Sequence, residues 1–237
     1  MMKNKIVLVT GGSSGIGFEI ARIFCQNNAK KIFLLARNKS KLDEATLILK
    51  SLPSQTEIIP IVVDFMVQQN IDNCLKKCLE YGVPDILINN VGVFQQNKLE
   101  DQNLNELMDM IQVNVVAAYQ ITQFFLPFLK NLPTAQIYNI CSIGSLIGLK
   151  NCSAYNLTKF ALYGFGKSLR TELLNSHIKV TNILPGATLT PVWNTDFDNP
   201  ERLIDPKEIA QTVYFCSQMG LTAVVEDIII RPQHGDL

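Results

Sequence analysis

The sequence predicts an α/β fold: one domain, built on a doubly wound parallel β-sheet of about seven strands flanked by helices. Three observations predict it. Short runs that are apolar on both faces alternate with segments of helical periodicity along the whole chain, the pattern of a parallel sheet covered on both sides. A glycine-rich turn joins the first run to the first helical segment. The chain has 237 residues, a length that one α/β domain accommodates.

The elements follow in order. Strands are expected at residues 5–10, 31–36, 57–63, 85–89, 136–142, 178–184 and 223–230. Helices are expected at 16–27, 39–51, 68–81, 103–130 (broken early), 153–175 and 206–219. The one long irregular stretch, 186–205, is rich in Thr, Asn, Asp and Pro and reads as a substrate-binding loop or lid.

Composition excludes several classes. Apolar residues make up 47% and charged residues 18%, enough for a buried core. Lys plus Arg and Asp plus Glu each number 21, so no net field draws the chain to nucleic acid or to an anionic membrane. No apolar run approaches the roughly 18 residues of a membrane span, and the run at 6–9 is too short for a signal-peptide core, so a cytoplasmic location is expected. The six cysteines form no C-x-x-C pair and are expected to be free, buried thiols. With only two histidines, His177 and His234, no metal site is expected.

In Gly11-Gly12-Ser13-Ser14-Gly15-Ile16-Gly17, Gly11 permits a tight turn, Gly15 lets the backbone approach a phosphate, and Gly17 lets the helix lie close to the sheet. Open amides at the helix start then face an anion. The same letters fit the G-x-S-x-G elbow of a hydrolase. An elbow on the first strand, however, has no upstream loop to supply an oxyanion amide. The second strand ends in Ala36-Arg37-Asn38, with Lys41 nearby, where an NAD enzyme carries Asp or Glu. A guanidinium there pairs with a 2′-phosphate, which favours NADP(H) over NAD(H). Asp64 closes the third strand, placed to accept from an adenine amino group, and Asn89-Asn90-Val91-Gly92 closes the fourth.

Tyr155 and Lys159 stand at i and i+4, on one face of a helix. Tyrosine is a poor acid at neutral pH, and an ammonium beside it favours the phenolate. Two unit charges about 5 Å apart, at an effective dielectric near 20, interact by roughly 3 kcal/mol. Ser142 ends the fifth strand, where its hydroxyl and the phenol reach one carbonyl oxygen, unless it only caps the turn. Asn114 lies inside a helix, a poor place for Asn, so its amide is either structurally satisfied or functional.

Together these motifs resemble the classical short-chain dehydrogenases/reductases, in order and spacing, over essentially the whole chain. The resemblance implies a single NAD(P)-binding Rossmann-fold catalytic domain spanning 1–237. It implies Tyr155 as the acid–base residue, Lys159 as its activator and a ribose ligand, Ser142 as the group that orients the carbonyl, and Asn114 as the holder of a relay water. Gly11, Ser13, Ser14, Gly15, Ile16 and Gly17 would line the pyrophosphate. Arg37 and Asn38 would meet the 2′-phosphate, Asp64 and Phe65 the adenine, and Asn90, Val91 and Gly92 the adenosine side and nicotinamide ribose. Pro185, Gly186, Thr188 and Thr190 would contact the nicotinamide. The substrate, a small carbonyl or alcohol, would lie among Ser142, Tyr155, Phe94, Gly144 and Trp193, with Leu146, Val192 and Phe197 nearby.

Two departures stand out. Cys141 replaces a serine common in the family, and the usual glycine-rich ending is absent. The segments 185–193 and 225–237 are similar to bacterial sepiapterin-reductase-like members, which makes pterin reduction an alternative. A silent NADP(H)-binding regulator is another, although such proteins lack the Tyr or the Lys. The long helices carry Phe124, Phe125, Phe128, Phe160, Leu162 and Phe165, and the resemblance implies a homodimer or homotetramer built on them.

Overall fold

The computed structural model describes residues 2–191 and 199–235. Strands β1 (Ile6–Thr10), β2 (Lys31–Ala36), β3 (Glu57–Val62), β4 (Ile86–Asn89), β5 (Ala135–Ile140), β6 (Ile178–Pro185) and β7 (Asp227–Ile230) form one parallel sheet in the order β3-β2-β1-β4-β5-β6-β7. Helices α1 (Gly15–Gln26), α2 (Lys39–Lys50), α3 (Gln68–Tyr81), α4 (Leu104–Ile111), α5 (Ala117–Leu129), α6 (Ser153–Glu172) and α7 (Pro206–Ser217) cover it.

Strand alternation divides the core. Val7 and Val9 face a cluster with Ile20 and Phe24 of α1, Leu42 of α2 and Val213 of α7. Leu8, between them, points the other way, into a cluster with Leu75 of α3, Phe125 of α5 and Leu169 of α6. Apolar side chains on both faces are what make each run read as continuously hydrophobic.

The expected break in residues 103–130 is a π-turn at Gln112–Val116, with the Ala117 amide bonded to the Gln112 carbonyl. One inserted residue rotates α5 relative to α4 and leaves Asn114 at the turn, as π-turns at functional sites commonly do. The last strand begins at Asp227, later than expected. Val225 and Glu226 still bond β6 through their carbonyls, to Thr181 Oγ1 at 2.7 Å and to the Asn182 amide at 2.8 Å.

The helix surface differs from expectation. Phe125 and Leu162 are buried, and Phe124, Phe128 and Phe165 pack against core. Of the six expected surface residues only Phe160 is exposed; the outward apolar residues are instead Leu104, Met108, Tyr119 and Leu157.

At one edge, β3 carries Pro60 at its middle. The amides of Glu57 and Val63 donate inward, to the Lys30 and Ala36 carbonyls, so alternation turns position 60 outward, where proline has no N–H to offer.

A polar row crosses the other half of the sheet. Asn89, Asn139, Asn182 and Asp227 lie directly opposite one another on β4 to β7. Their side chains are bonded in series at 3.0, 3.1 and 3.0 Å. Helix α6 rests on this row at Gly166, where a Cβ would overlap Asn182 Oδ1 and come within 2.8 Å of Asn139 Nδ2. Burial pushes the Asp227 carboxyl up, but bonds from Asn182 and Lys167 outweigh it and hold it below the ordinary carboxylate range. Its stabilising contribution is therefore present at neutral pH and is lost as the pH falls through that depressed value.

Candidate active site

Strand order reverses between β1 and β4, so a crevice opens beyond their C-terminal ends, the place where doubly wound sheets hold ligands. The glycine turn stands on one side of it. Gly11 and Gly15 have φ of 65° and 57°, which a side chain would strain. Across the crevice, Asn90 Nδ2 donates to the carbonyls of Thr10 at 2.8 Å and Gly11 at 3.3 Å. A Cβ on Gly17 would overlap both this amide and the Gly11 carbonyl.

Thr10, which sequence reasoning did not single out as a site residue, organises the junction. Its buried Oγ1 accepts from the amides of Asn90 and Val91, both at 2.9 Å, and donates to the Ile88 carbonyl at 3.1 Å. One hydroxyl thus locks the β4 loop to the end of β1.

The turn is shaped for an anion. Ser14, the N-cap of α1, places no side-chain bond on the first-turn amides, and no acidic residue occurs in that turn. Thr190 closes over it: a Cβ on Gly15 would lie 3.2 Å from Thr190 Cγ2. Arg37, exposed immediately after β2, makes no ion pair among the described residues. Asn38 caps α2 by accepting from the Lys41 amide at 3.0 Å. Asp64 accepts from the Met66 amide at 3.0 Å, and the carbonyl of buried Phe65 accepts from Gln112 Nε2 at 3.2 Å. Beyond β6, the Gly186 amide is held by the Ile230 carbonyl at 2.7 Å, and Thr188 Oγ1 donates to Gly186 at 2.9 Å. The loop base is tied by a bridge between Thr188 and Ile204. Val192, Trp193 and Phe197 lie outside the described residues.

Tyr155 and Lys159 share the inner face of α6. Lys159 is buried; its ammonium donates to the Ile140 carbonyl at 2.9 Å and lies 5.8 Å from the centre of the Tyr155 ring. Gly92 lies beside that ammonium, where a Cβ would stand 3.6 Å from it, an ordinary contact distance. Phe94 meets the Tyr155 ring edge-on, centroids 4.9 Å apart at 81°, and sets its plane.

Ser142 ends the β5 turn and caps it: Oγ accepts from the Gly144 amide at 3.0 Å. Ser145 completes a reciprocal box. Its Oγ accepts from the Ser142 amide at 3.2 Å and donates to the Lys159 carbonyl at 2.9 Å, fixing the β5 turn to α6. Asn114 is structurally satisfied. Oδ1 accepts from the Val93 amide at 2.7 Å, while Nδ2 donates to the Val93 carbonyl at 2.9 Å and to Thr158 Oγ1 at 3.0 Å. Both amide hydrogens are therefore taken by the protein itself. Ser145 and Thr158 were missed from sequence; the Ser-x-x-Ser spacing of 142 and 145 was the available signal for the first.

Other groups do not join the site. Cys141 is buried and its thiol is pushed up to about 12, by burial first, with the Lys159 charge opposing, so it stays neutral. His177 precedes β6, at the opposite end of the strands from Ser13, which removes it from any hydrolase triad there. All six cysteines are free, and no metal-binding cluster occurs among the described residues.

The sequence profile of the short chain dehydrogenases matches residues 5–201. The chain belongs to the short-chain dehydrogenase family. It is 33% identical to an uncharacterised oxidoreductase of Staphylococcus epidermidis, over 98% of both chains. Among solved structures it resembles the L-sorbose reductase of Gluconobacter frateurii complexed with NADPH and L-sorbose, with a TM-score of 0.88, 26% identity, and coverage of 98% of this chain and 96% of that one. It also resembles an actinorhodin polyketide ketoreductase solved with NADPH, with a TM-score of 0.86, 25% identity, and coverage of 98% and 96%. No helix among the described residues is long and apolar enough to cross a membrane.

Proposed function

We propose that this oxidoreductase reduces a small carbonyl compound with NADPH, or runs the reverse reaction with the alcohol. The observation that carries the reading is the buried Lys159 ammonium. Its one bond among the described residues goes to a backbone carbonyl, and it lies beside Tyr155 at the crevice. A buried charge without a carboxylate is costly, and a ribose hydroxyl together with a phenolate would compensate it. When bound, the nicotinamide supplies the hydride. Ser142, whose Oγ accepts from Gly144, uses its hydrogen to hold the carbonyl oxygen. Tyr155 gives that oxygen its phenolic proton, and Lys159 steadies the phenolate left behind.

The NADPH complexes of the two structural relatives support the choice of cofactor, as does Arg37. Arg37→Asp is expected to weaken NADPH binding by roughly 100-fold, through lost charged hydrogen bonds and new repulsion. NADH binding should change far less; equal losses in a fluorescence titration would remove the 2′-phosphate role.

The loops leaving β4, β5 and β6 expose Val93, Phe94, Leu146, Ile147 and Leu189. That apolar rim, with residues 186–205 as the substrate loop, favours an apolar or flat substrate. A spectrophotometric screen of NADPH oxidation over ketones, aldehydes, diketones, quinones, pterins and L-sorbose tests this. We expect apolar ketones to lead. A preference for the sugar would overturn the apolar reading, and tight NADPH binding without turnover would favour the silent regulator. The outward residues Leu104, Met108, Tyr119, Leu157 and Phe160 on α4, α5 and α6 support a two-fold dimer. Sedimentation as a monomer at micromolar concentration would exclude it.

A further inference from the structure

The asparagine row has a direction, and one residue sets it. A carboxylate only accepts, so Asp227 Oδ1 obliges Asn182 to present its amide nitrogen. Asn182 then offers its oxygen to Asn139 Nδ2, and Asn139 offers its oxygen to Asn89 Nδ2. At the far end Asn89 also donates to Thr122 Oγ1 at 3.1 Å, and its own Oδ1 is left buried without a partner. Reversing all three amides would give that oxygen Asn139 Nδ2 and the Thr122 hydroxyl, but would leave the Asn89 amide nitrogen in the unpartnered position and turn Asn182 Oδ1 onto the Asp227 carboxylate. The row thus has two arrangements, and the edge residue selects the one that leaves an unpaired acceptor at Asn89.

We propose that Asp227 is a distant positioning residue for the cofactor and catalytic loops, acting through this row. Each link abuts the site. Asn89 precedes Asn90, which clamps the glycine turn. Asn139 precedes Ile140, whose carbonyl holds Lys159. The Asn139–Asn182 bond is the seat of Gly166 on the helix that carries Tyr155. The second carboxylate oxygen takes the exposed Lys167 ammonium at 2.9 Å and the Tyr163 hydroxyl at 3.2 Å, so the row is anchored in a surface cluster. Only the functional consequence rests on the NADPH reading above; the ordering of the loops does not.

The test is hydrogen exchange by mass spectrometry on segments 86–95 and 136–145 of the cofactor-free protein, with NADPH titration alongside. Asp227→Ala should speed exchange at the ends of β4 and β5, and weaken NADPH, each on the order of tenfold. Asp227→Asn has a single oxygen, which Lys167 and Tyr163 also claim, so it frees the row to reverse and should fall with the alanine variant, not with wild type. Asp227→Ser, too short to reach Asn182, replaces the alanine variant if that one does not fold. Faster exchange confined to β6 and β7, with β4, β5 and NADPH affinity unchanged, overturns the proposal, as does an asparagine variant that matches wild type. If the wild-type protein binds no NADPH, the cofactor reading fails while the exchange comparison still decides this one.

Discussion

Replacing Tyr155 by phenylalanine is expected to lower carbonyl turnover by roughly a thousandfold, the scale of a lost general acid. The substitution removes one oxygen and little else. The ring keeps its edge-on contact with Phe94 at 4.9 Å, and Lys159 keeps its bond to the Ile140 carbonyl at 2.9 Å. The glycine turn, Asn90 and Arg37 are untouched, so NADPH affinity should stay within about twofold, a shift well under 1 kcal/mol. The two readouts separate the roles: kcat from steady-state NADPH oxidation, and Kd from nucleotide fluorescence. Turnover near the wild-type rate would remove Tyr155 as the proton donor. A parallel collapse of binding would mean that the hydroxyl holds the nucleotide as well as supplying the proton.

The second large effect is on stability. Gly166→Ala places a methyl group onto Asn182 Oδ1, an atom held from one side by Asn139 Nδ2 at 3.1 Å. Neither partner can swing away without breaking the row. Helix α6 must rise from the sheet instead, at a cost of about 2–3 kcal/mol for an overpacked interior. For a domain of this size that is a fall in Tm of roughly 5–10 °C. Ser168→Ala, exposed on the same helix, is the control and should move stability by less than about 0.5 kcal/mol. Because α6 carries Tyr155 and Lys159, the glycine variant should also lose turnover at temperatures where it remains folded. Equal melting temperatures for the two variants would show that the helix does not need its close seat.

Much of this was legible in the chain itself. All seven strands and their flanking helices follow from apolar runs and helical periodicity, because a sheet covered on both faces imposes that pattern. The motifs at 11–17, 89–92 and 155–159 were legible because glycines, a polar pair and an i, i+4 spacing are local signals, and the structure brings all three to one crevice. What escaped depends on distance in three dimensions. Thr10, Ser145 and Thr158 are hydrogen-bond hubs whose partners lie far along the chain or on another element. Phe125 and Leu162 look like surface from composition but turn inward once the π-turn fixes the rotation of α5 and α6 meets the sheet. The asparagine row exists only through the register of four parallel strands, which no single segment encodes.

Pro60 has a consequence for how this molecule meets its own kind. A ribbon of strands grows into a fibre only if both of its borders accept another strand. Here one border is interrupted at its midpoint by a ring where an amide would be, while at the other no strand pairs with the outer side of β7 among the described residues. A strand laid outside β3 would find no amide at its midpoint, so this border is a poor template for one.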